Sequence, residues 1–325
     1  MKELSVIIVN WNSVDYLRQC LHNLYRGGPN LDMEVIVVDN ASGDGCPAML
    51  RKDFPGVLLV EANENLGFSR ANNLGYRRSS GRVLLFLNPD TEVPDGVLPR
   101  MTQYVRSTQG VGAVGARLLN TDGTLQSSSV QAFPTITNQV LDCDFLRRWF
   151  PAWKLWGRNS LAVAQGRPAE VDAISGACFM ILRSVFEEVQ GFGEQYFMYS
   201  DDLDLSYRVR MAGYRVMCLA DCSVTHHGGR SSDVQKSCFA DVLQRESLAR
   251  FFHETRGRSY AAAYRAAMMI TAAVRLMIVL PLVVFHRLAL PGKTTPAALR
   301  KSVAILRWSL GFENWARMPG PRLQA

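Results

Sequence analysis

The sequence predicts an α/β fold with a mainly parallel sheet and flanking helices, followed by a helical C-terminal region. Short, continuously apolar segments such as "LSVIIVN" and "MEVIVVD" are typical of strands that are covered on both faces. Segments with helical spacing separate them, and this alternation is the pattern of βαβ units. Apolar residues make up 48% of the 325 residues, enough to fill a sizeable core.

The first half of the chain supplies four such strands. After "LSVIIVNWN", Ser13 is placed to cap a helix whose apolar stripe includes Leu17, Leu21 and Leu24. The next strand is "MEVIVVD", and the third lies in "GVLLVEAN" before a helix that begins near Ser69. The fourth, in "GRVLLFLNPDTEV", must stop at Pro89 because proline has no N–H for the ladder.

Polar residues stand where these strands run out. Asn10, Asp39, Asn65 and Asp90 each follow an apolar run. Ligands of parallel α/β sheets bind beyond the carboxyl ends of the strands. We therefore expect these four side chains to converge on one rim of the sheet.

Beyond Gly110 the pattern is less regular. It predicts a strand, a turn at Asp122-Gly123 and a second short strand, and later a strand and helix in "VDAISGACFMILRSVFEEVQGF". Three aspartates open a helix that ends near Gly213, and a last strand leads into "THHGGRSS". The pattern assigns no structure to residues 131–168, which carry three tryptophans.

The C-terminal part differs in charge. Residues 1–230 carry 22 Lys and Arg against 24 Asp and Glu, whereas residues 231–325 carry 14 against 5. Residues 266–285 are nearly all apolar, with Arg275 and Pro281 as interruptions. A helix lying in the membrane interface fits best, and a buried helix and a spanning helix are the alternatives. Nucleic-acid binding by this basic region is disfavoured, because a long apolar run accompanies the charge.

The seven cysteines and the N-terminus bear on location. The cysteines are scattered, odd in number and without a paired CxxC, which indicates reduced thiols in a cytosolic protein. The first apolar run is too short for the core of a signal peptide. We expect a peripheral protein on the cytoplasmic face of the inner (plasma) membrane.

Three groups of residues are candidates for chemistry, and each has a plain structural alternative. Asp90, with Asn88 beside it, could hold a divalent cation or could cap a turn. Asp201, Asp202 and Asp204 could include a general base or could cap a helix. His226 could complete a metal site or could be structural. The glycines after His226 would let the backbone approach a phosphate. The chain has no GxGxxG fingerprint, no Walker lysine and no nucleophile with an adjacent base.

Seven segments in order give these weak signals a common meaning. They are "SVIIVNWN", "VIVVDNASGDG", "ENLGFSRANNLGY", "LFLNPDTEV", "ISGACFMILR", "GFGEQYFMYSDDLDLSYRVRMAGYRV" and "VTHHGGRSS". This succession, over about residues 4–232, resembles family 2 glycosyltransferases of the GT-A fold, a Rossmann-like arrangement, and among them the bacterial rhamnosyltransferases of cell-surface polysaccharide assembly. The resemblance implies a glycosyltransferase domain at 1–232 and a membrane-associating helical region at 233–325.

The resemblance also implies roles for individual residues. Asp202 would be the catalytic base, and Asp90 and His226 would bind a divalent cation, Mg²⁺ or Mn²⁺. "NPD" stands where the family has Asp-x-Asp, so Asn88 replaces the first aspartate. Asn10 and Asp39 would contact the base and ribose of the nucleotide, and Gly176 would border the sugar and acceptor. The full set expected to bind substrate is Asn10, Asn12, Asp39, Asn65, Asn72, Asn88, Gly176 and Asp201.

The activity implied is an inverting transfer of a sugar from a nucleotide-diphosphate donor to an acceptor hydroxyl. By the same resemblance the donor would be dTDP-rhamnose and the acceptor a lipid-linked saccharide. The alternative is a membrane-attached module that binds nucleotide sugars without catalysis. The presence of Asp90, Asp202 and His226 together argues against that alternative.

Overall fold

The computed structural model describes residues 2–26, 31–141, 146, 149–150, 153–228, 238–289, 297–313 and 316. The chain forms two compact units. The first comprises residues 1–133, 147–197 and 201–231, and the second comprises residues 134–146, 198–200 and 232–325. The predicted domain boundary at 232/233 and most of "GGRSS" lie outside the described residues.

The first unit is built on one large sheet. Within the described residues its strands follow the order β3-β2-β1-β4-β10-β6-β11-β5, with β8 paired to β11. A separate two-stranded sheet joins β7 and β9. The strands are β1 (Leu4–Asn10), β2 (Met33–Asp39), β3 (Leu58–Glu61), β4 (Val83–Leu87), β5 (Thr91–Glu92), β6 (Val111–Leu119), β7 (Val130–Gln131), β8 (Ala169–Glu170), β9 (Ala173–Ile174), β10 (Cys178–Leu182) and β11 (Arg215–His226).

The predicted run of parallel strands is present in β3, β2, β1 and β4, which pair in parallel. Their register aligns Asn10 with Asp39 across β1 and β2, so these polar residues leave the sheet at the same level. β10 then enters antiparallel between β4 and β6. The sequence did not specify this reversal, because a strand buried on both faces has the same apolar composition in either direction.

Helices cover both faces of this sheet. They are α1 (Val14–Arg26), α2 (Cys46–Asp53), α3 (Gly67–Tyr76), α4 (Val97–Ser107), α6 (Ser160–Ala164), α7 (Arg183–Glu188) and α8 (Asp201–Met211). Successive β1 residues serve opposite cores: Val6 and Ile8 pack with α1, α2 and α4, and Ile7 packs with Phe186 and Leu205. This alternation explains why the strands are apolar without a break.

Two segments differ from the sequence prediction. α3 begins at Gly67 rather than near Ser69, and the Phe68 N–H in its first turn donates to Phe197 O (2.8 Å). Gly67 has φ of 75°, and a Cβ there would lie 2.4 Å from Phe197 O. After the Asp122-Gly123 turn, the expected second strand is reduced to one bridge between Leu119 and Leu125.

The second unit is helical over its described residues. It contains α5 (Ile136–Leu141), α9 (Phe239–Arg256), α10 (Arg258–Ala289) and α11 (Ala297–Ser309). Its core includes a polar junction in which Glu246 accepts hydrogen bonds from Arg265 and from Trp308 Nε1, both at 2.7 Å. Arg265 also lies over the Trp308 ring, 4.4 Å from the centroid. The buried charge of Glu246 is thereby paired and hydrogen-bonded.

One face of α10 is apolar and uncovered in the structure. Tyr264, Met268 and Ala272 are buried, whereas Ile270 and Met277 are 60% and 69% exposed. By length and composition alone, Arg258–Ile278 could cross a membrane, since it has 21 residues and a mean hydropathy of 1.4. Core helices of soluble proteins can have the same length and composition.

Candidate active site

The first part of the site lies where β1 and β2 end. Asn10 and Asp39 are buried, and Asn10 Nδ2 lies 3.4 Å from Asp39 Oδ1 and 3.1 Å from Ser42 Oγ. Asn10 Oδ1 is buried without a hydrogen-bond partner in the described structure. Because a buried acceptor normally has a donor, this atom and the Asp39 carboxylate form a place suited to a ligand that donates hydrogen bonds.

A second group holds the loop before α3. Asn40 donates from Nδ2 to Asn65 Oδ1 (2.8 Å) and accepts at Oδ1 from the Leu66 N–H (2.8 Å). Asn65 Oδ1 also accepts from the Gly67 N–H at 3.0 Å. The sequence analysis selected Asn65 but not Asn40. Asn40 directly follows Asp39 at the end of β2, and this position could have marked it as a site residue.

The turn after β4 carries Asn88 and Asp90. The Asn88 N–H donates to Ala177 O (3.0 Å), and the hydroxyl of Thr91 donates to Asn88 O (2.8 Å). Asp90 is 5% exposed, and its backbone carbonyl accepts from the His227 N–H at 3.0 Å. These bonds fix the turn at the end of the strand, so Pro89 is followed by a carboxylate in a defined position.

His226, the last residue of β11, lies against this turn. Its Nε2 is 3.2 Å from Asp90 Oδ1 and 3.1 Å from Asn88 Nδ2. Its Nδ1 is 2.8 Å from Gln126 Oε1. The orientation of the Gln126 amide follows from its Nε2, which donates to Asn120 Oδ1 (3.2 Å) and to His226 O (3.4 Å).

The Gln126 contact assigns the imidazole tautomer. A glutamine oxygen only accepts, so Nδ1 of His226 is the donor in this contact, and in the neutral imidazole Nε2 then presents a lone pair to Asn88 Nδ2 and Asp90. That lone pair and an oxygen of Asp90 lie 3.2 Å apart. Two electron-pair donors at this distance suit a shared divalent cation: the Asp90 oxygen is the kind of ligand that Mn²⁺ and Mg²⁺ prefer, and an imidazole nitrogen is a ligand for transition metals. Gln126, which sequence reasoning missed, orients this histidine.

No group of three or more His, Cys, Asp or Glu side chains is placed to hold a metal ion anywhere in the part of the chain that the structure describes. The pair Asp90 and His226 would therefore need further oxygen ligands from a substrate to bind a cation firmly. A diphosphate supplies such oxygens, so the donor set fits a cation that binds together with a nucleotide diphosphate.

The third part of the site is Asp202 in the first turn of α8. Its Oδ2 accepts hydrogen bonds from the Gly176 N–H (2.8 Å) and from Gln131 Nε2 (2.9 Å). Its Oδ1 accepts from the Leu203 N–H at 2.7 Å. Pairing of β7 with β9 brings Gln131 to this place, and no periodic pattern in the sequence pointed to it.

Burial raises the pKa of Asp202, while the hydrogen bonds from Gly176, Leu203 and Gln131 oppose that rise. Burial also raises the pKa of Asp201 well above its ordinary value, and the adjacent Asp202 charge adds to it. Asp204 differs in kind, because it forms an ion pair with Arg208 (2.7 Å). Of the three aspartates, Asp202 combines a raised pKa with a carboxylate whose orientation is fixed.

A single dipeptide links the two halves of the site. The Gly176 N–H donates to Asp202, and the carbonyl of the next residue, Ala177, accepts from the Asn88 N–H. The carboxylate of α8 and the turn that carries Asp90 are thus tied to the same two residues. A Cβ at Gly176 would lie 3.3 Å from Phe68 and 3.4 Å from Asp202, so little space is left there.

Two other predicted substrate-binding residues are Asn72 and Asn12, and the Asn12 N–H donates to Ser42 Oγ (3.1 Å), the hydroxyl that Asn10 contacts. Asn72 is buried within α3 and donates to the Phe68 carbonyl of its own helix (3.0 Å). Asn12 is exposed, and its side chain accepts from the Gly43 N–H at 2.8 Å. The Asn72 amide thus bonds within α3, and the Asn12 side chain holds the loop beyond β1.

A model of glycosyl transferase family 2 matches residues 5–190, more than half of the chain. The chain belongs to this family. It is 27% identical over 242 residues to N-acetylglucosaminyl-diphospho-decaprenol L-rhamnosyltransferase of Mycobacterium tuberculosis, covering 70% of this chain and 77% of that one. It is also 27% identical over 246 residues to rhamnosyltransferase WbbL of Escherichia coli, covering 70% and 85%.

Solved structures agree on the fold. The mannosyltransferase PcManGT from Pyrobaculum calidifontis, in complex with GDP-Man and Mn²⁺, superposes with a TM-score of 0.60 at 19% identity, covering 96% of this chain and 88% of that one. S. aureus TarS 1–349 in complex with UDP gives 0.51 at 15% identity, covering 96% and 91%. The GT-A fold expected from the sequence is confirmed, and this family 2 member is a nucleotide-sugar-dependent glycosyltransferase.

Proposed function

We propose that this glycosyltransferase moves rhamnose from dTDP-rhamnose to a hydroxyl of a lipid-linked saccharide, with inversion at the anomeric carbon. The observation that carries the proposal is the Gly176–Ala177 link, which ties the oriented Asp202 carboxylate to the turn bearing Asp90. The choice of donor and acceptor draws on the relatives named as rhamnosyltransferases, one of which acts on an N-acetylglucosaminyl-diphospho lipid.

Asp202 is the proposed base. Burial raises the pKa of its carboxyl toward the range in which a base accepts a proton efficiently, and the Gly176 and Gln131 hydrogen bonds hold one oxygen in place. As the acceptor oxygen attacks the anomeric carbon, its proton passes to Asp202. The bond to the diphosphate breaks on the opposite side, so the configuration inverts without a covalent enzyme intermediate.

Asn10 and Asp39 would receive the donor nucleotide, Asn65, Asn88 and Asp201 would line its sugar side, and Gly176 would border the acceptor. Asp90 and His226 would hold a divalent cation, which neutralises charge on the departing diphosphate when bound. The fit rests on the Nε2 lone pair of His226 facing Asp90 Oδ1 at 3.2 Å.

The direct test of the reaction is product formation. We expect rhamnose transfer when the protein is given dTDP-rhamnose and a GlcNAc-diphospho-lipid, and product NMR should show an inverted anomeric centre. UDP-glucose and GDP-mannose serve as competing donors. If only UDP-glucose or only GDP-mannose supports transfer, the protein is still a glycosyltransferase, but dTDP-rhamnose is not its donor.

The cation site predicts a loss of metal affinity. Asp90→Asn and His226→Gln should each weaken Mn²⁺ binding in the presence of dTDP by at least about tenfold, because each removes one of two protein ligands. Titration followed by Mn²⁺ electron paramagnetic resonance measures this without turnover. Asp95→Asn, at an exposed carboxylate nearby, is the control. Unchanged Mn²⁺ affinity would reassign Asp90 to a sugar or ribose contact.

Gln131 predicts a change in pH dependence. Its Nε2 donates to the charged form of Asp202 and so lowers that pKa; Gln131→Met removes the donor and should raise it. The base works deprotonated, so the acid limb of kcat/KM should move to higher pH by about one unit. Activity should fall more at pH 6 than at pH 8. Gln103→Met, on the exposed side of α4, should leave the profile unmoved, and an equal loss at every pH would contradict the assignment.

For the whole chain we propose a glycosyltransferase domain at 1–232 and a membrane-associating region at 233–325. The support is the uncovered apolar face of α10 together with the excess of basic residues after 230. Peripheral attachment to the cytoplasmic face of the inner membrane would bring the site to a lipid-linked acceptor. This arrangement corresponds to the interfacial alternative.

A further inference from the structure

Arg275, the charge that interrupts the apolar run of α10, does not lie on the exposed face of that helix. It lines a narrow cleft within the helical unit together with Arg245 of α9. The cleft is completed by polar and apolar side chains from α5, α10 and α11: Gln139, Met268, Thr271, Ala272, Ser302 and Ile305. Met268, Thr271, Ala272 and Arg275 recur at helical spacing, so one face of α10 is turned to this cleft.

Within the described part of the chain, the two arginines are not neutralised by acidic groups. Neither Arg245 nor Arg275 has a carboxylate partner among the residues that the structure describes, and the lining of the cleft contains no acid. Arg245 donates to Gln139 Oε1 (2.8 Å). By contrast, Arg265, which lies on α10 like Arg275, is paired with Glu246. Two half-buried arginines that line one cleft give it a positive charge that suits an anion.

The neighbouring surface indicates what kind of anion this is. One side of α10 presents an exposed apolar stripe formed by Ile270, Val274, Met277 and Ile278, and the cleft lies on another side of the same turns. An anion that also carries a long hydrocarbon chain would satisfy both features. Guanidinium groups match phosphate oxygens through two parallel hydrogen bonds.

We propose that Arg245 and Arg275 form a binding site for the diphosphate of a prenyl-linked lipid, whose chain lies along the apolar stripe of α10. The choice of this lipid rests on the proposed function, since a lipid-linked acceptor carries such a diphosphate. As it stands, the cleft has room for about one water molecule. Binding therefore requires the guanidinium groups to swing apart on their flexible stems.

The test is a binding measurement on the full chain, so it needs no turnover. Farnesyl diphosphate is the probe, and its affinity is measured by calorimetry for the wild type and for the Arg245→Gln/Arg275→Gln variant. We expect the double variant to bind at least about tenfold more weakly. Arg258→Gln, at an exposed arginine in the first turn of α10, is the matched control and should change affinity less than about twofold.

Further arms identify the source of the phosphate. Inorganic pyrophosphate should bind the wild type more weakly than farnesyl diphosphate and should lose affinity in the double variant, whereas farnesol should not discriminate between the two proteins. Phosphatidylglycerol vesicles should bind both proteins alike. If vesicle binding falls as much as farnesyl diphosphate binding, the arginines attract anionic surfaces in general and the proposal is overturned.

Stability separates a binding role from a structural one. Removing two charges that repel each other should leave the Tm of the ligand-free double variant equal to or above that of the wild type. A lower Tm together with unchanged farnesyl diphosphate affinity would make the arginines structural and overturn the proposal. Arg245→Lys/Arg275→Lys keeps the charge but loses the paired hydrogen bonds, and it should bind with intermediate affinity. Failure of rhamnose transfer in the wild type would instead count against the proposed function, because these measurements do not depend on it.

Discussion

Asp202→Asn should lower sugar transfer by about 10³-fold while dTDP binding stays within about twofold of the wild type. The amide has nearly the shape of the carboxylate and can still accept from Gly176, so the link to the Asn88 turn is kept. What it cannot do is take a proton from the acceptor hydroxyl. Single-turnover kinetics and calorimetry with dTDP measure the two effects separately.

Two other aspartates, both in ion pairs with arginine, provide the controls for Asp202→Asn. Asp221→Asn removes a carboxylate from a surface ion pair with Arg100 and should leave transfer unchanged. Asp204→Asn breaks the ion pair with Arg208 and should act mainly through stability. Transfer that persists in Asp202→Asn would remove this residue from the role of base, even if rhamnose transfer itself is established.

Three acidic substitutions on the exposed face of α10, Ile270→Asp, Val274→Asp and Met277→Asp together, should abolish flotation with vesicles of phosphatidylglycerol and phosphatidylcholine. Burying each apolar side chain in a bilayer contributes about 1.5–3 kcal/mol, so the three together correspond to more than 10³-fold in partitioning. The added carboxylates also repel an anionic surface. Flotation on a density gradient measures the fraction bound.

The matched control places the same change elsewhere. Leu58→Asp and Met211→Asp alter apolar residues that are 46% and 64% exposed on the first unit, and they should not affect flotation. If the α10 variant still floats, another part of the chain attaches the protein. Substitution is a better test than deletion of residues 257–325, since deletion would remove the Arg265 and Trp308 partners of Glu246.

The parallel half of the sheet and its polar rim were predictable because both follow from local patterns. Continuous apolar runs gave the strands, and a proline fixed the end of β4 before Asn88. Asn10 and Asp39 could be placed together, since parallel strands of similar length end at one edge. The family resemblance then selected Asp90, Asp202 and His226 from residues that had equally good structural explanations.

The supporting contacts could not be predicted in this way. Gln126 and Gln131 reach His226 and Asp202 through a turn and a two-residue strand, neither of which leaves a periodic signal. Arg275 was visible as an interruption of an apolar helix, but its neighbour Arg245 lies 30 residues earlier on another helix. Tertiary packing brings such pairs together, so the spacing of residues along one helix or strand does not predict them.

The Gly176–Ala177 link also matters for engineering this enzyme. Because one dipeptide is bonded both to the Asn88 turn and to Asp202, the proposed donor pocket and the proposed acceptor side would not be independent modules. A chimera that takes its nucleotide-binding half from a relative has to import residues 175–178 and their partners as one block. A graft that ends at β6 would leave the recipient's base aligned to a turn of different shape.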